Sequence, residues 1–331
     1  MLNFIYVNPA LINPKTKENI REQEIKKLSQ LKEEGYTLIG LEMTVSELSK
    51  FCDLNIDPQH TDQKTQQSCV KEICLNHQEL FAPLTPLKDK KVIFLTNRVD
   101  LDSISSYIVA NNIINNHDVT YNEFLKQINA HDTFQTLPWQ KQKDIEEGFD
   151  PNSSTKALAS TIKPFMITQQ NIEDVTTFIK EGLVSDQTMA NYRQTQMRII
   201  NAVKENEIKV NKKKGFVVVE TTLPCATDVG YCYAPIVVAI NPSMRAQDGS
   251  TYRKISICQH EEGFADLKEI KSILSSKEQG WGGSPTFIGS PQGTSSEISL
   301  EEIQKIISKN LTKEYNQKLS SYTPPSSSFE K

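Results

Sequence analysis

At 331 residues the chain is long enough for two domains, each with a substantial core. Its formal net charge of −4 carries no chain-wide signal for a polyanionic partner, and it contains no run of about 18 consecutive apolar residues of the kind a membrane helix needs. Six irregularly spaced cysteines (Cys52, Cys69, Cys74, Cys225, Cys232 and Cys258) favour reduced thiols and a cytoplasmic location over a disulfide framework.

Asn3 to Val7 reads as a first strand; the opening lacks a cationic segment ahead of its apolar residues and is broken by Pro9, unlike a signal peptide. Ile20, Ile25, Leu28 and Leu31 fall at roughly helical spacing in a charged segment that ends at Gly35. Thr37 to Met43 (TLIGLEM) predicts a second strand, and Thr44-x-x-Glu47 a capping box for a short helix through Phe51. This alternation favours an α/β layer architecture. In Cys52 to Thr61, Pro58 keeps a loop non-helical, and Asp57 and His60 offer a carboxylate and an imidazole three positions apart. That pair suits hard or borderline metals, although a surface turn explains it equally well. Cys52, His60, Cys69, Cys74 and His77 supply zinc-type donors, but C-x4-C-x2-H is not a usual paired-ligand spacing.

The stretch Lys91 to Asn116 organises the N-terminal half. Val92, Ile93, Phe94 and Leu95 predict a buried strand, Arg98, Asp100 and Asp102 lie in the polar loop after it, and Ile104, Ile108, Ala110 and Ile113 mark a helix for which Ser103 is a suitable cap. Two carboxylates thus stand at the carboxyl end of a strand, where open α/β sheets bind ligands and where alternate acids can present oxygens to one divalent cation. An ordinary strand-to-helix turn is the alternative. A second helical pattern, Tyr121 to Ala130, ends in His131 and Asp132. Neighbouring helical residues leave the axis about 100° apart, so both reach one metal only if the helix has already ended. A helix C-terminus with His131 at its last carbonyls is the plainer reading.

Leu137 to Thr155 is polar and irregular. Helical patterns resume from Gln169 to Glu205, where Met189, Tyr192, Met197, Ile200 and Val203 read as packing positions. Lys212, Lys213 and Lys214 read as a solvated connector. Beyond it GFVVVE and PIVVAI predict strands. Arg253 to His260 alternates, with Ile255 and Ile257 on one face and Lys254, Ser256, Cys258 and His260 on the other. Arg253 or Lys254 can pair with a phosphate from there, His260 can assist proton transfer, and Cys258 with His260 is a conceivable nucleophilic pair. Gly280 to Gly293 (GWGGSPTFIGSPQG) holds five of the thirteen glycines, a density that implies positive-φ backbone or close approach to a ligand, with N–H groups able to cradle an anion. Ser299-x-x-Glu302 opens a following helix, and the serine- and proline-rich tail from Ser320 is expected to be disordered.

A strand running into D-x-D-S and an apolar helix, a late aspartate after a further helix, and a C-terminal glycine loop together resemble the DHH-type phosphoesterases, a manganese-dependent superfamily that hydrolyses phosphodiester and phosphoanhydride bonds. The chain departs from that pattern twice: it has no Asp-His-His triplet, and Ser284 stands where the glycine loop normally carries a histidine. The resemblance implies that Asp57, His60, Asp100, Asp102 and Asp132 hold Mn2+ or Mg2+, with Asp57 and His60 as a displaced equivalent of the missing triplet. It implies catalytic roles for Asp102, His131 and His260, and substrate contacts from Arg98, Arg253, Gly282, Gly283 and Ser284. The expected fold is α/β: an N-terminal, mostly parallel sheet with flanking helices (1–165), a helical connector (166–214), a smaller C-terminal α/β domain (215–319) across a cleft, and a tail (320–331). The expected activity is cleavage of a nucleotide, short oligonucleotide or other small phosphorylated substrate without a membrane partner. The alternative is a catalytically silent module that binds a nucleotide or a protein, and whether the chain forms a homodimer stays open.

Overall fold

The computed structural model describes residues 3–9, 19–58, 67–87, 90–133, 145, 149–246, 249–291 and 293–321. These fall into two compact units, one of residues 1–136 with 151–195 and the other of 137–150 with 196–331. The architecture is α/β in both.

The first unit is built on four parallel strands, β1 (Phe4–Tyr6), β2 (Tyr36–Leu41), β3 (Leu54–Ile56) and β4 (Lys91–Thr96), in the order β1-β4-β2-β3. The chain therefore returns to insert β4 between two strands already made. Side chains alternate between two cores. Phe4, Ile39, Leu41, Ile56 and Phe94 pack on one face, while Leu38, Ile93 and Leu95 join Val7, Leu28 and Leu48 on the other. Burial on both faces explains why these strands read as continuous apolar runs and not as apolar–polar alternation.

Helices α1 (Ile20–Glu33) and α2 (Ser46–Ser49) serve the second of these cores, and α3 (Cys69–Phe81), α4 (Leu101–Ile114) and α5 (Glu123–Asp132) the first. Thr44 does not cap α2. Val45 occupies the cap, and Thr44 instead exchanges hydrogen bonds with Asn97, N–H to Oδ1 and Nδ2 to Oγ1, both 3.0 Å. After α6 (Ser154–Ala159), α7 (Gln169–Glu181) buries Ile172, Val175 and Phe178 in the same core as α4, so this part of the stretch expected as a connector is core structure. It ends at Gly182 with φ +70. The long helix α8 (Asp186–Lys204) follows.

The second unit is a six-stranded mixed sheet ordered β5-β6-β7-β8-β10-β9: β5 (Lys209–Lys213), β6 (Phe216–Glu220), β7 (Ile236–Arg245), β8 (Thr251–Gln259), β9 (Gly282–Gly283) and β10 (Phe287–Gly289). Only β6 and β7 run parallel. The basic run expected as a connector belongs to strand structure: Lys212 and Lys213 pair with Val217 and Phe216 across a tight turn at Gly215, φ +87. Lysine is a poor strand former but a good edge residue, because its charge discourages pairing with another chain. One face of the sheet (Phe216, Val218, Ile236, Val238, Ile255, Ile257, Ile288) meets α10 (Leu267–Lys277), α11 (Leu300–Lys309) and α12 (Lys313–Ser321). On the other, Val217, Val219, Val237 and Cys258 pack with α9 (Ala226–Tyr231) and the end of α8. No helix among the described residues is long and apolar enough to cross a membrane.

Candidate metal centre

The carboxyl ends of β2 and β4 and the C-terminus of α5 bring three carboxylates together. Ligand oxygens of Glu42, Asp102 and Asp132 all lie within 4.8 Å of one another, the one such group of acids, histidines or cysteines among the described residues. A divalent cation sits about 2.0–2.6 Å from its oxygen ligands, so atoms spaced in this way can share one ion.

Each acid is held by a different device. Glu42 follows β2 in a left-handed conformation, φ +56, which a non-glycine residue adopts only at a cost of about 1–3 kcal/mol. Its N–H donates to the carbonyl of Ile56 at 2.9 Å, fixing that conformation against β3. Asp102 is 1% exposed, and its two oxygens accept from the N–H groups of Cys69 (2.8 Å) and Val70 (3.1 Å), the free amides of the first turn of α3. Asn129 Oδ1 accepts from Ser68 N–H at 3.0 Å and so ties α5 to the start of α3. Asp132 is the last residue of α5. The helix runs through both His131 and Asp132, so their side chains diverge, and only Asp132 joins the triad.

Electrostatics sharpen the picture. Burial, then the charges of Asp100, Asp132 and Asp102, raise the Glu42 carboxyl well above the usual carboxylate range. Burial, then Asp132 and Asp100, likewise raise Asp102 against the opposing pull of the two α3 amides. Both oxygens of Glu42 are buried without a hydrogen-bond partner. Buried acids crowded in this way hold protons unless a cation replaces them, and two partnerless carboxylate oxygens are what a metal ligand looks like before its ion arrives. The donor set, oxygen only, suits Mn2+ or Mg2+ and not zinc of the thiolate kind.

The remaining predicted residues are placed as follows. Asp100 is the N-cap of α4: its Oδ1 accepts from Ser103 N–H at 2.9 Å, and Ser103 Oγ receives Asp100 N–H at 3.0 Å. Ser103 is thus the partner at the third helical position in a capping box, not the cap itself. Arg98 Nε stands 2.8 Å from Asp100 Oδ2, an ion pair of charge contact more than of aimed hydrogen bond, and the arginine side chain is 52% exposed at the rim of the acid cluster. Asp57 is buried at the carboxyl end of β3, beside Cys69, and is not one of the three clustered acids. His60 lies outside the described residues. In the second unit, Arg253 Nη1 donates to the carbonyls of Ser296 and Ile298, both at 2.9 Å. Gly282 and Gly283 form β9, and a methyl group at Gly283 would fall 2.1 Å from the Phe287 carbonyl oxygen, so close strand approach accounts for that glycine. Ser284 Oγ accepts from the N–H of Phe287 at 3.2 Å within the β9–β10 turn. His260 packs edge-on against Tyr231, its ring nitrogens buried without partners.

Two rival chemistries lose support. Burial pushes the Cys258 thiol up to about 12, which leaves almost no thiolate for a Cys258–His260 nucleophilic pair. Cys52, Cys69, Cys74 and His77 do not gather into a ligand group among the described residues.

Glu42 is the clustered acid that sequence reasoning missed. Its signal was available: an acid closing the apolar run TLIGL, at the end of a strand destined for a parallel sheet.

No protein-family model matches this chain, and no curated protein matches it in sequence. Among solved structures it is similar to an exopolyphosphatase-related protein from Bacteroides fragilis, at 11% identity over 94% of this chain and 81% of that one, with a TM-score of 0.38. It is also similar to an uncharacterized protein from Helicobacter pylori G27, at 11% identity over 72% and 79% of the two chains, with a TM-score of 0.18. Likenesses this loose leave the site to be argued from its own geometry.

Proposed function

We propose that this chain is a divalent-metal-dependent phosphohydrolase that cleaves a phosphodiester or phosphoanhydride bond in a nucleotide or short oligonucleotide. The observation that carries the reading is the convergence of Glu42, Asp102 and Asp132 within 4.8 Å, two of them almost fully buried. One of the three, Asp102, belongs to the D-x-D-S segment that resembles DHH-type phosphoesterases.

When bound, Mn2+ or Mg2+ supplies Lewis-acid polarisation of a phosphoryl oxygen and acidifies water. The chain's own contributions are positional. The first-turn amides of α3 orient the Asp102 carboxylate, the strained backbone of residue 42 aims Glu42, and the α3–α5 tie holds Asp132 in register. Arg98, at the rim and already poised beside an acid, is the group to hold non-bridging phosphate oxygens as substrate arrives. A carboxylate cluster alone repels a phosphate, so the cation is required for binding as well as for chemistry.

The test is direct. Purified protein stripped with EDTA and dialysed against Mn2+ is expected to retain metal, measured by mass spectrometry, and to release p-nitrophenol from bis(p-nitrophenyl) phosphate only when metal is present. Protein that takes up metal but gives no metal-stimulated hydrolysis of this ester or of short oligonucleotides would overturn the hydrolase reading.

A further inference from the structure

Glu42 holds φ +56 although neither of its carboxylate oxygens has a hydrogen-bond partner among the described residues that would favour it. A left-handed non-glycine residue persists only where its surroundings over-determine it, so the restraint has to come from the backbone on either side. On the near side β3 supplies it: Leu41 pairs with Ile56, and the Glu42 N–H reaches the Ile56 carbonyl at 2.9 Å. On the far side the chain has left the sheet, and a side chain takes the part of a neighbouring strand. Asn55 of β3 accepts the Met43 N–H at Oδ1 (3.3 Å) and donates from Nδ2 to the Met43 carbonyl (3.2 Å). A carboxamide has a donor and an acceptor side by side, so one side chain satisfies both backbone groups of a residue that is itself buried.

Gly40 admits that amide. It pairs with Asn55 in the register of β2 with β3, and its backbone is not left-handed, so space and not conformation accounts for the glycine. A methyl group there would collide with Asn55 Oδ1 and come within 2.9 Å of Cys52 Sγ and Met43 Cγ. One residue beyond Met43, the exchange between Thr44 and Asn97 ties the same turn to the end of β4. The turn that carries Glu42 is therefore clasped from both flanking strands by asparagine amides.

We propose that Asn55 is a positioning residue of the metal centre. Its amide, seated over Gly40, holds Glu42 in the left-handed conformation that turns the carboxylate toward Asp102 and Asp132, and so sets metal affinity by acting through Glu42. This role rests on reading those three acids as a metal centre. An asparagine that only closed the end of the sheet would leave metal affinity unchanged.

The experiment is calorimetric titration of the full chain with Mn2+, for wild type, Asn55→Ala, Gly40→Ala and the double variant. Asn55→Ala should weaken Mn2+ about tenfold to 100-fold, the range for losing a group that orients a metal ligand. Gly40→Ala should weaken it comparably, and the double variant should bind no more weakly than Asn55→Ala alone, because both changes act on one amide. Amide hydrogen exchange in EDTA gives a second readout. In wild type the Met43 N–H should exchange far more slowly than in a free chain; in Asn55→Ala exchange should quicken at residues 42–44 while β2 stays protected. Free-chain exchange at Met43 in wild type, Mn2+ affinity indifferent to Asn55→Ala, or losses that add in the double variant would each overturn the positioning role and leave the metal centre standing. Wild type that binds no Mn2+ would overturn the metal centre and this role with it.

Discussion

Glu42→Gln isolates the charge of the triad while keeping its shape. Two carboxylate charges 4.8 Å apart repel by about 3.5 kcal/mol at an effective dielectric of about 20. Burial and mutual repulsion already raise Glu42 and Asp102, so the metal-free cluster holds back part of that charge as bound protons, and only a fraction of the repulsion is present at neutral pH. Glutamine keeps the left-handed backbone of residue 42 at no new cost, and its amide can donate to the carboxylates around it. The expected result for metal-free protein at pH 8 is a stabilisation of about 1–2 kcal/mol, or roughly 2–8 °C in the unfolding midpoint of a unit this size. At pH 4, where the acids are largely protonated, the variant and wild type should melt together. Added Mn2+ should stabilise wild type by RT ln(1 + [L]/Kd), about 2.7 kcal/mol at a hundred times Kd, and the variant far less. Differential scanning fluorimetry in EDTA and in Mn2+ at both pH values measures all of this. A variant less stable than wild type at pH 8, with its Mn2+ shift intact, would refute the reasoning.

The remaining predictions address the same centre and the glycine hairpin. The raised Glu42 and Asp102 groups make the native state hold protons that the unfolded chain releases above the ordinary carboxylate values of 4.5 and 3.8. Their contribution to stability is therefore full below those values and is lost as pH rises through the raised native ones. Metal-free protein should show a urea midpoint that declines with rising pH over that range, a trend that Mn2+ reverses; a midpoint that climbs instead would count against the buried cluster. Asp102→Asn retains an acceptor for the α3 amides and should fold, while metal-stimulated hydrolysis falls by about 100-fold or more, the upper range for losing a group that orients a metal ligand; turnover at the wild-type rate would exclude Asp102 as a ligand. Gly283→Ala forces a methyl group against the Phe287 carbonyl at φ +133 and should cost the second unit about 1–3 kcal/mol or more in thermal unfolding. An unchanged midpoint would contradict the β9–β10 pairing.

Local pattern was enough to read β4 and α4, because an apolar run, a polar turn and a helical apolar stripe are consecutive in the chain, although α4 begins at Leu101 and takes in Asp102, which the sequence placed in the loop before it. The same held for α5 ending near Asp132, and for the alternation of β8. Other features were illegible for the opposite reason. Thr44 looked like a cap, but Asn97, brought beside it only by the sheet, competes for its N–H and hydroxyl. The lysines of β5 have low strand propensity, and pairing with β6 overrides it. Asp100 and Asp102 are indistinguishable as letters two apart, yet one caps its own helix while the other is buried against the amides of α3, a helix that begins 33 residues earlier in the chain.

What the chain's letters determined alone was the class of fold, the strand and helix that carry Asp102, and the presence of a carboxylate chemistry at a strand's end. Which acids stand close enough to share an ion was decided by tertiary structure, because β4 enters between β1 and β2 and sets its carboxyl end beside that of β2. Glu42 became a partner of Asp102 through that crossover. Periodicity records the neighbours of a residue along its own helix or strand, whereas the distance between two charges, on which their protonation and metal affinity depend, is set by how the strands are ordered.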